Sequence, residues 1–415
     1  MSPKSPRHPK EMTNEVTCSV SPIRTARGTV LSVKSLANLL EVNWINGHKS
    51  KFHYIWLRDN CPCRKCRDPL SRQRLFDTAD IPISIVPSGV RLDDVGQLEL
   101  RWSSDDHRSV FEVNWLRSHC YSNSERIKRK HRPVLWNGDF DPASVEMTYE
   151  EIVSGDGGVL RWLEMIRDYG FAIVSRVSAE SKNIEQLANL VGNIQETNFG
   201  RWFDIVSKPE PKHLAYSAVE LKPHTDDAYS YWPPGVEFFH CLATARAGGQ
   251  TILVDGLNVA AHFRQTHMEE FRLLSKVGCH FEYQSEDTDL RAEGRIICLD
   301  EFGAVTGIRW NERLAGPFNL PERLMEPYYK AYQTFQLMLR SEEFAIKRRL
   351  DVGELLVFDN HRVLHGRTAF DSKGVPRHIR GCLLTRDSFH SRLRSLHQQV
   401  RNEAYWTVLP VGSPP

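Results

Sequence analysis

From residue 213 onward the chain returns repeatedly to short apolar runs: HLAYSAVEL, GVEFFHCLATA, QTILVDG, RIICLD, AVTGIRWN, ELLVFDN and HIRGCLLTRD. Each has the length of a strand and is bounded by turn residues. Two long helical patterns interrupt them, LNVAAHFRQTHMEEFRLLSKV and PERLMEPYYKAYQTFQLMLRSEEF. Many strands with helices as insertions predict an antiparallel sandwich or jelly roll, not a parallel sheet wound through βαβ units. No GxGxxG or GxxxxGK[ST] occurs, which argues against a dinucleotide- or nucleotide-binding α/β fold. Just upstream, GVLRWLEMIRDYGFAIVSR predicts a helix feeding a strand, with Gly170 at the join as the helix cap.

The 415 residues are enough for one large or two ordinary domains. Residues 1–28 are rich in Pro, Ser and Lys/Arg, lack apolar periodicity and read as a disordered tail. Runs such as FHYIW, ISIV, LELRW and VFEVNW predict a small β-rich N-terminal domain over 29–121. Residues 122–142 read as a linker, 143–400 as the larger domain and 401–415 as a C-terminal tail. A net charge of +2 gives no overall attraction to nucleic acid, and RIKRKHR (126–132) reads as a solvated linker face. No apolar run approaches the roughly 18 residues that span a bilayer, and the N-terminus lacks a secretory core. The expectation is a protein of the cytoplasm, with mitochondria as the alternative, that binds neither membrane nor nucleic acid.

Nine cysteines do not form the even pattern of a secreted scaffold. Three of them, Cys61, Cys63 and Cys66, crowd into WLRDNCPCRKCRDP. Three thiolates so close together rarely remain unligated, which favours zinc over free thiols, and a fourth ligand would complete a closed tetrahedral site. His107 in WSSDDHRSVF is the best candidate, with Cys120 as the fallback. No second half or recognition helix accompanies it, so a DNA-reading finger is not expected.

A second constellation is spread along the larger domain. In HTDDAYSYW, His224 and Asp226 stand at i and i+2, on one face of an extended backbone, where an imidazole and a carboxylate reach one ion. Alone this pair is common by chance. GELLVFDNHRVLHGRTAF adds His361 and His365, and a short HG turn at 365–366 would point His365 inward. His224, Asp226 and His365 then make the two-histidine, one-carboxylate face that leaves coordination positions open on non-haem Fe(II). A zinc hydrolase is the rival, but no HExxH-type base is present. Arg377 suits a bidentate pair with a dicarboxylate, and Thr251 adds a hydroxyl donor, which together suggest 2-oxoglutarate. Asp227, turned away by strand alternation, reads as a turn-capping carboxylate.

WLRDNCPCRKC, the AY…HTD…PPGVEFFHCL…GGQTILVDG segment and VFDNHRVLHGR together resemble the gamma-butyrobetaine dioxygenase and trimethyllysine dioxygenase family. The resemblance runs from about residue 29 to 400. It implies a mainly β chain with helical insertions: a double-stranded β-helix (jelly-roll) catalytic domain behind a small zinc-binding N-terminal domain. It implies Fe(II) on His224, Asp226 and His365, 2-oxoglutarate on Arg377, zinc on Cys61, Cys63, Cys66 and His107, and O2 and ascorbate as co-reactants. The implied reaction is hydroxylation of a small trimethylammonium carboxylate in carnitine biosynthesis, by a homodimer. The full zinc set favours the gamma-butyrobetaine branch, whereas HTDDAYSY and GCLLTRD look more like the trimethyllysine branch. Tyr216, Phe199 and Phe203 fall at or near aromatic cage positions for the quaternary ammonium. Leu383 and His213 replace a tyrosine and an asparagine there, and Asn311 is the remaining candidate for the substrate carboxylate. A hydroxylase of trimethyllysine or another amine-bearing acid is the alternative; a catalytically silent 2-oxoglutarate binder or scaffold is the reading from another class.

Overall fold

A computed structural model describes residues 17–23, 30–93, 95–179, 181–207, 216–371, 377–402, 404–405, 407–410 and 412. The chain divides into two compact units, residues 1–130 and 131–415.

In the first unit, β1 (Thr17–Ile23), β2 (Val30–Ser35), β3 (Leu39–Trp44) and β4 (Lys49–His53) form an antiparallel meander. Strands β5 (Pro87–Leu92), β6 (Gln97–Trp102) and β7 (Arg108–Glu112) form a second sheet. β1 lies within the segment expected to be a tail. TCSVSPI pairs along the edge of β2 with a register shift between Ser19 and Ile23, a shift that places Pro22 at the irregularity. Residues 1–16 and 24–28 of that segment lie outside the described residues. FHYIW and VFEVNW each change structure midway: helices Tyr54–Asp59 and Val113–Ser118 begin directly after β4 and β7. ISIV precedes β5 without being a strand. Short apolar runs suit either structure, and the burial of Tyr54, Leu57, Val113 and Leu116 selects helix here. Within the expected linker, Asn123–Lys128 is a helix capped by the Ser122 hydroxyl.

The second unit is a jelly roll of two facing sheets. In chain order its strands are β8 (Glu146–Thr148), β9 (Phe171–Ser175), β10 (Ile194–Gln195), β11 (Phe203–Val206), β12 (Leu221–His224), β13 (Val236–Ala243) and β14 (Thr251–Asp255). There follow β15 (Gly278–Gln284), β16 (Asp289–Arg295), β17 (Ile297–Leu299), β18 (Val305–Ile308), β19 (Ala345–Arg348), β20 (Leu355–Asp359), β21 (Val363–Arg367) and β22 (His378–Leu384). The major sheet runs β10-β22-β13-β20-β9-β8, with β11 also on β22; the minor sheet runs β12-β21-β14-β19. Strand alternation explains why the major-sheet sequences are apolar throughout. Val236, Phe238, Leu355 and Val357 face helices Asp156–Tyr169, Ser181–Val191 and Arg386–Arg401. Phe239, Cys241, Leu356 and Phe358 face inward, against Leu253, Ile346 and Val363 of the minor sheet. Burying each such side chain contributes about 1.5–3 kcal/mol, so both sheets are held from two sides.

Gly170 ends helix Asp156–Tyr169 in the left-handed region at φ 84°, and its N–H donates to Ile166. The expected single helix after β14 is two, Gly256–Thr266 and Met268–Lys276, broken at His267. HLAYSAVEL yields strand only from Leu221; its described residues 216–220 contain no strand and are mostly bend. The HG dipeptide is not a turn either. β21 continues through Gly366, where a Cβ would stand 2.5 Å from the Leu221 carbonyl oxygen, so glycine here lets β12 and β21 close.

Candidate active site and metal centres

β12 and β21 are antiparallel, with His224 directly opposite His365, so strand pairing alone puts two imidazoles side by side with centroids 4.4 Å apart. Asp226 lies two residues past the end of β12. Its Oδ1 is 3.2 Å from His224 Nε2 and its Oδ2 is 3.7 Å from His365 Nε2. All three candidate ligand atoms lie within 4.8 Å of one another. His361 goes elsewhere: it is buried in the β20–β21 turn, its Nε2 3.2 Å from the Pro233 carbonyl.

Each residue of His-Thr-Asp is separately fixed. The Nδ1–H of His224 donates to the Lys222 carbonyl at 2.8 Å, which turns the Nε2 lone pair toward Asp226. Thr225, between the two ligands, donates from its backbone N–H (2.7 Å) to the Trp310 carbonyl, and its hydroxyl accepts from the Trp310 N–H (3.0 Å). Asn311 Nδ2 donates to the Thr225 carbonyl at 3.2 Å. Asn360 holds Asp226 by its backbone, accepting its N–H at 2.8 Å and donating to its carbonyl at 3.1 Å.

Burial opposes charge on Asp226, but the imidazoles of His365 and His224, with the Arg313 guanidinium, hold its carboxyl well below the usual carboxylate range. Burial pushes His365 down to about 3 against the pull of Asp226, leaving the neutral imidazole that a metal requires. One anionic oxygen donor between two neutral nitrogen donors fits Fe(II).

A cavity of about 360 Å³ opens onto the three ligands. Thr251 and Arg367, cross-strand partners on β14 and β21, line one part of it, and Arg377 joins them. Burial lowers Arg367 to about 10, with the neighbouring Arg377 and Arg313 charges adding to the effect. The guanidiniums of Arg367 and Arg377, beside the Thr251 hydroxyl, suit a dianion, as 2-oxoglutarate is. Phe199, Phe203, Tyr216, Asn311 and Leu383 also line the cavity, so it gathers every described residue expected to touch cosubstrate or substrate; His213 lies outside the described residues.

The wall also contains residues the sequence did not single out. Tyr283 stacks on Tyr229 (5.1 Å) and meets Phe199 edge-on (5.9 Å), building an aromatic corner from β15 and the turn after Asp226. Asp227 is not a turn cap. It sits at φ 49°, lines the cavity and accepts the Tyr229 hydroxyl at 2.6 Å. Burial and the adjacent Asp226 charge push its carboxyl up to about 6. Glu237, opposite Leu383 on β13, is fully buried with neither oxygen hydrogen-bonded among the described residues; burial raises its carboxyl well above the ordinary value. Arg313 lines the cavity too. Only the tyrosines carried a legible signal, as aromatics beside the HTD motif and in FEYQ.

The first unit holds the other cluster. His107 Nε2 lies 3.3 Å from Cys61 Sγ, 3.6 Å from Cys63 Sγ and 3.5 Å from Cys66 Sγ. Burial raises the Cys66 thiol to about 12, and charge on Cys61 and Cys63 adds to it. That crowding is what a divalent cation relieves. Arg58 donates to Cys66 Sγ at 3.4 Å and to Asp105 at 3.2 Å, and Asp105 accepts the His107 N–H. Four soft and borderline donors with outer hydrogen bonds fit zinc, with no position left for substrate.

Residues 139–383 match the Taurine catabolism dioxygenase TauD, TfdA family, and residues 31–117 match the gamma-butyrobetaine hydroxylase-like N-terminal family. The chain is therefore a 2-oxoglutarate-dependent dioxygenase with a jelly-roll oxygenase fold and a β-rich domain holding a Cys3His cluster. It is 36% identical to gamma-butyrobetaine dioxygenase of Pseudomonas sp. (strain AK-1), over 88% of this chain and 96% of that one. Identity to the human gamma-butyrobetaine dioxygenase is 28%, over 88% and 96%, and to the human mitochondrial trimethyllysine dioxygenase 33%, over 84% of each. It belongs to the gamma-butyrobetaine and trimethyllysine dioxygenase family. Among the described residues no helix is long and apolar enough to cross a membrane.

Proposed function

We propose that this enzyme hydroxylates an unactivated C–H bond of a small trimethylammonium carboxylate, with gamma-butyrobetaine, giving L-carnitine, as its first candidate substrate. The observation carrying this reading is one cavity that joins three metal donors, a guanidinium-lined end and aromatic faces. His224, Asp226 and His365 would hold Fe(II). Arg377 and Thr251 would hold the far carboxylate of 2-oxoglutarate. When bound, Fe(II) with 2-oxoglutarate and O2 supplies the oxidising power: one oxygen atom enters succinate as CO2 leaves, and the other enters the substrate C–H bond. The chain's own part is placement and exclusion of water. Phe199, Phe203 and Tyr216 offer ring faces to a quaternary ammonium, which cannot donate a hydrogen bond and is met by cation–π attraction. Ascorbate keeps the iron reduced, and the zinc cluster serves folding alone.

A second substrate, trimethyllysine or another amine-bearing acid, is favoured by Asp227. Its carboxyl faces the cavity beside Tyr229 and Tyr283, where a substrate ammonium would find an acceptor.

Incubation with Fe(II), ascorbate, O2 and 2-oxoglutarate separates the readings. Succinate formation coupled to a product 16 Da heavier than gamma-butyrobetaine supports the first; coupling to trimethyllysine supports the second. Iron-dependent succinate with neither would remove both substrates and leave the oxygenase.

A further inference from the structure

Arg313 is a cation in the cavity wall. It makes no hydrogen bond or ion pair with any described residue, and its Nε is buried without a partner. A half-buried guanidinium in a cavity wall, with its Nε–H unpartnered, is a ready donor for an anion that enters the cavity. Asp226 is not that anion, since the two form no ion pair and its oxygens face His224 and His365. The tail of 2-oxoglutarate already has Arg377 and Thr251.

The placement of Arg313 is deliberate in physical terms. It belongs to a turn in which the Leu314 N–H donates back to the Asn311 carbonyl at 3.2 Å. That turn is bolted at one end to Thr225 through Trp310 and Asn311, and at the other to β15, where the Glu282 N–H donates to the Leu314 carbonyl at 2.8 Å. Thr225 lies between two of the iron-ligand candidates, so Arg313 keeps a fixed position relative to them. It lines the same cavity as His224, Asp226 and His365. The neighbouring Asn311 gives one amide hydrogen to the Thr225 carbonyl and keeps one neutral donor, where Arg313 offers a charged fork.

We propose that Arg313 is the specificity-determining anchor for the carboxylate of the primary substrate, holding it near the metal while the aromatic faces hold the opposite, cationic end. This deepens the proposed function and rests on its view of the cavity as the substrate site. A guanidinium–carboxylate pair at this position restricts the substrate to amphoteric molecules: a cation alone leaves Arg313 unanswered, and an anion alone leaves the aromatic corner empty. The same chemistry has a second source, the 1-carboxylate of 2-oxoglutarate, and the test separates the two.

The experiment uses full-length protein with Mn(II) in place of iron, so that nothing turns over. Paramagnetic relaxation of ligand protons gives dissociation constants for butyrate and tetramethylammonium, each in the presence of 2-oxoglutarate, and for 2-oxoglutarate itself. Arg313→Met is expected to weaken butyrate about tenfold or more, with Arg313→Lys in between. Tetramethylammonium and 2-oxoglutarate are expected to bind as in wild type. Because Arg313 has no protein partner, the thermal midpoint should not fall. Unchanged butyrate affinity in Arg313→Met, no butyrate binding to wild type, or a loss confined to 2-oxoglutarate would each overturn the proposal. Steady-state kinetics with gamma-butyrobetaine test the proposed function separately: if the butyrate result holds without turnover of gamma-butyrobetaine, the anchor stands and the substrate assignment falls.

Discussion

The two metal-ready clusters of this chain are built in opposite ways. Cys61, Cys63 and Cys66 come from one short loop after a helix, with His107 from the β6–β7 turn, and they surround a point with four donors. His224, Asp226 and His365 come from strands far apart in sequence, brought together by the register of β12 against β21, and they offer three donors beside a cavity. The first arrangement would close on a cation and tie loops together. The second leaves a side open where small molecules meet the metal. Donor number and the presence of a cavity, more than the identity of the metal, separate a folding device from a reaction site.

The largest expected effect lies in the first cluster. Cys66→Ser removes one of four donors, and structural zinc carries on the order of 10 kcal/mol of binding energy linked to folding in small zinc domains. The N-terminal unit should then melt at assay temperature, read as loss of protected amides over residues 30–120 in hydrogen exchange. His365→Ala should do the reverse: exchange protection and zinc content persist while iron binding and succinate formation vanish. If His365→Ala also released zinc, the two clusters would not be independent and the comparison would fail.

Arg377→Met should come next. Losing a charged pair with a carboxylate costs about 1.5–3 kcal/mol, so the KM for 2-oxoglutarate should rise roughly ten- to a hundredfold with iron binding intact. Tyr216→Ala should be milder, raising the KM for a trimethylammonium substrate about two- to thirtyfold and leaving that for 2-oxoglutarate unchanged.

The smallest effect concerns a charge in the first unit. Glu125 accepts from Arg117 at 2.7 Å and from Lys128 at 3.1 Å, and chiefly the Arg117 bond holds this buried carboxyl at about 2 against an ordinary 4.5. A depressed carboxyl stabilises the folded form above its unfolded value, so its contribution is full above about pH 4.5 and lost as pH falls toward 2. Zinc would be displaced by acid over the same range, so the check compares wild type with Glu125→Gln at fixed zinc occupancy. The variant should be less stable at pH 7, by on the order of 3 kcal/mol at most, with the gap narrowing below pH 4.5.

The two clusters also differ in how far they were legible. C-x-C-x-x-C states its chemistry locally, because the spacing alone brings three thiols within reach of one cation. His224 and Asp226 were legible as a pair, but choosing His365 over His361 depended on strand register, and the supposed HG turn was a continuing strand. Seven apolar runs announced the jelly roll, while helix starts inside FHYIW and VFEVNW were hidden because burial, not periodicity, decides them. Arg313, Tyr229 and Tyr283 reach the cavity from turns and from β15, whose path no local pattern fixes. Asn360 and Thr225 were hidden for a related reason: their role lies in hydrogen bonds that exist only once β18, β20 and the HTD turn converge.

The most direct test of the account is an anaerobic titration of Fe(II)-loaded protein with 2-oxoglutarate, following the visible charge-transfer absorption of the iron-bound 2-oxo acid. Wild type and His361→Ala should both develop the band, and His365→Ala should not. A band that survives His365→Ala and disappears in His361→Ala would contradict the assignment of the reaction site to the β12–β21 pair.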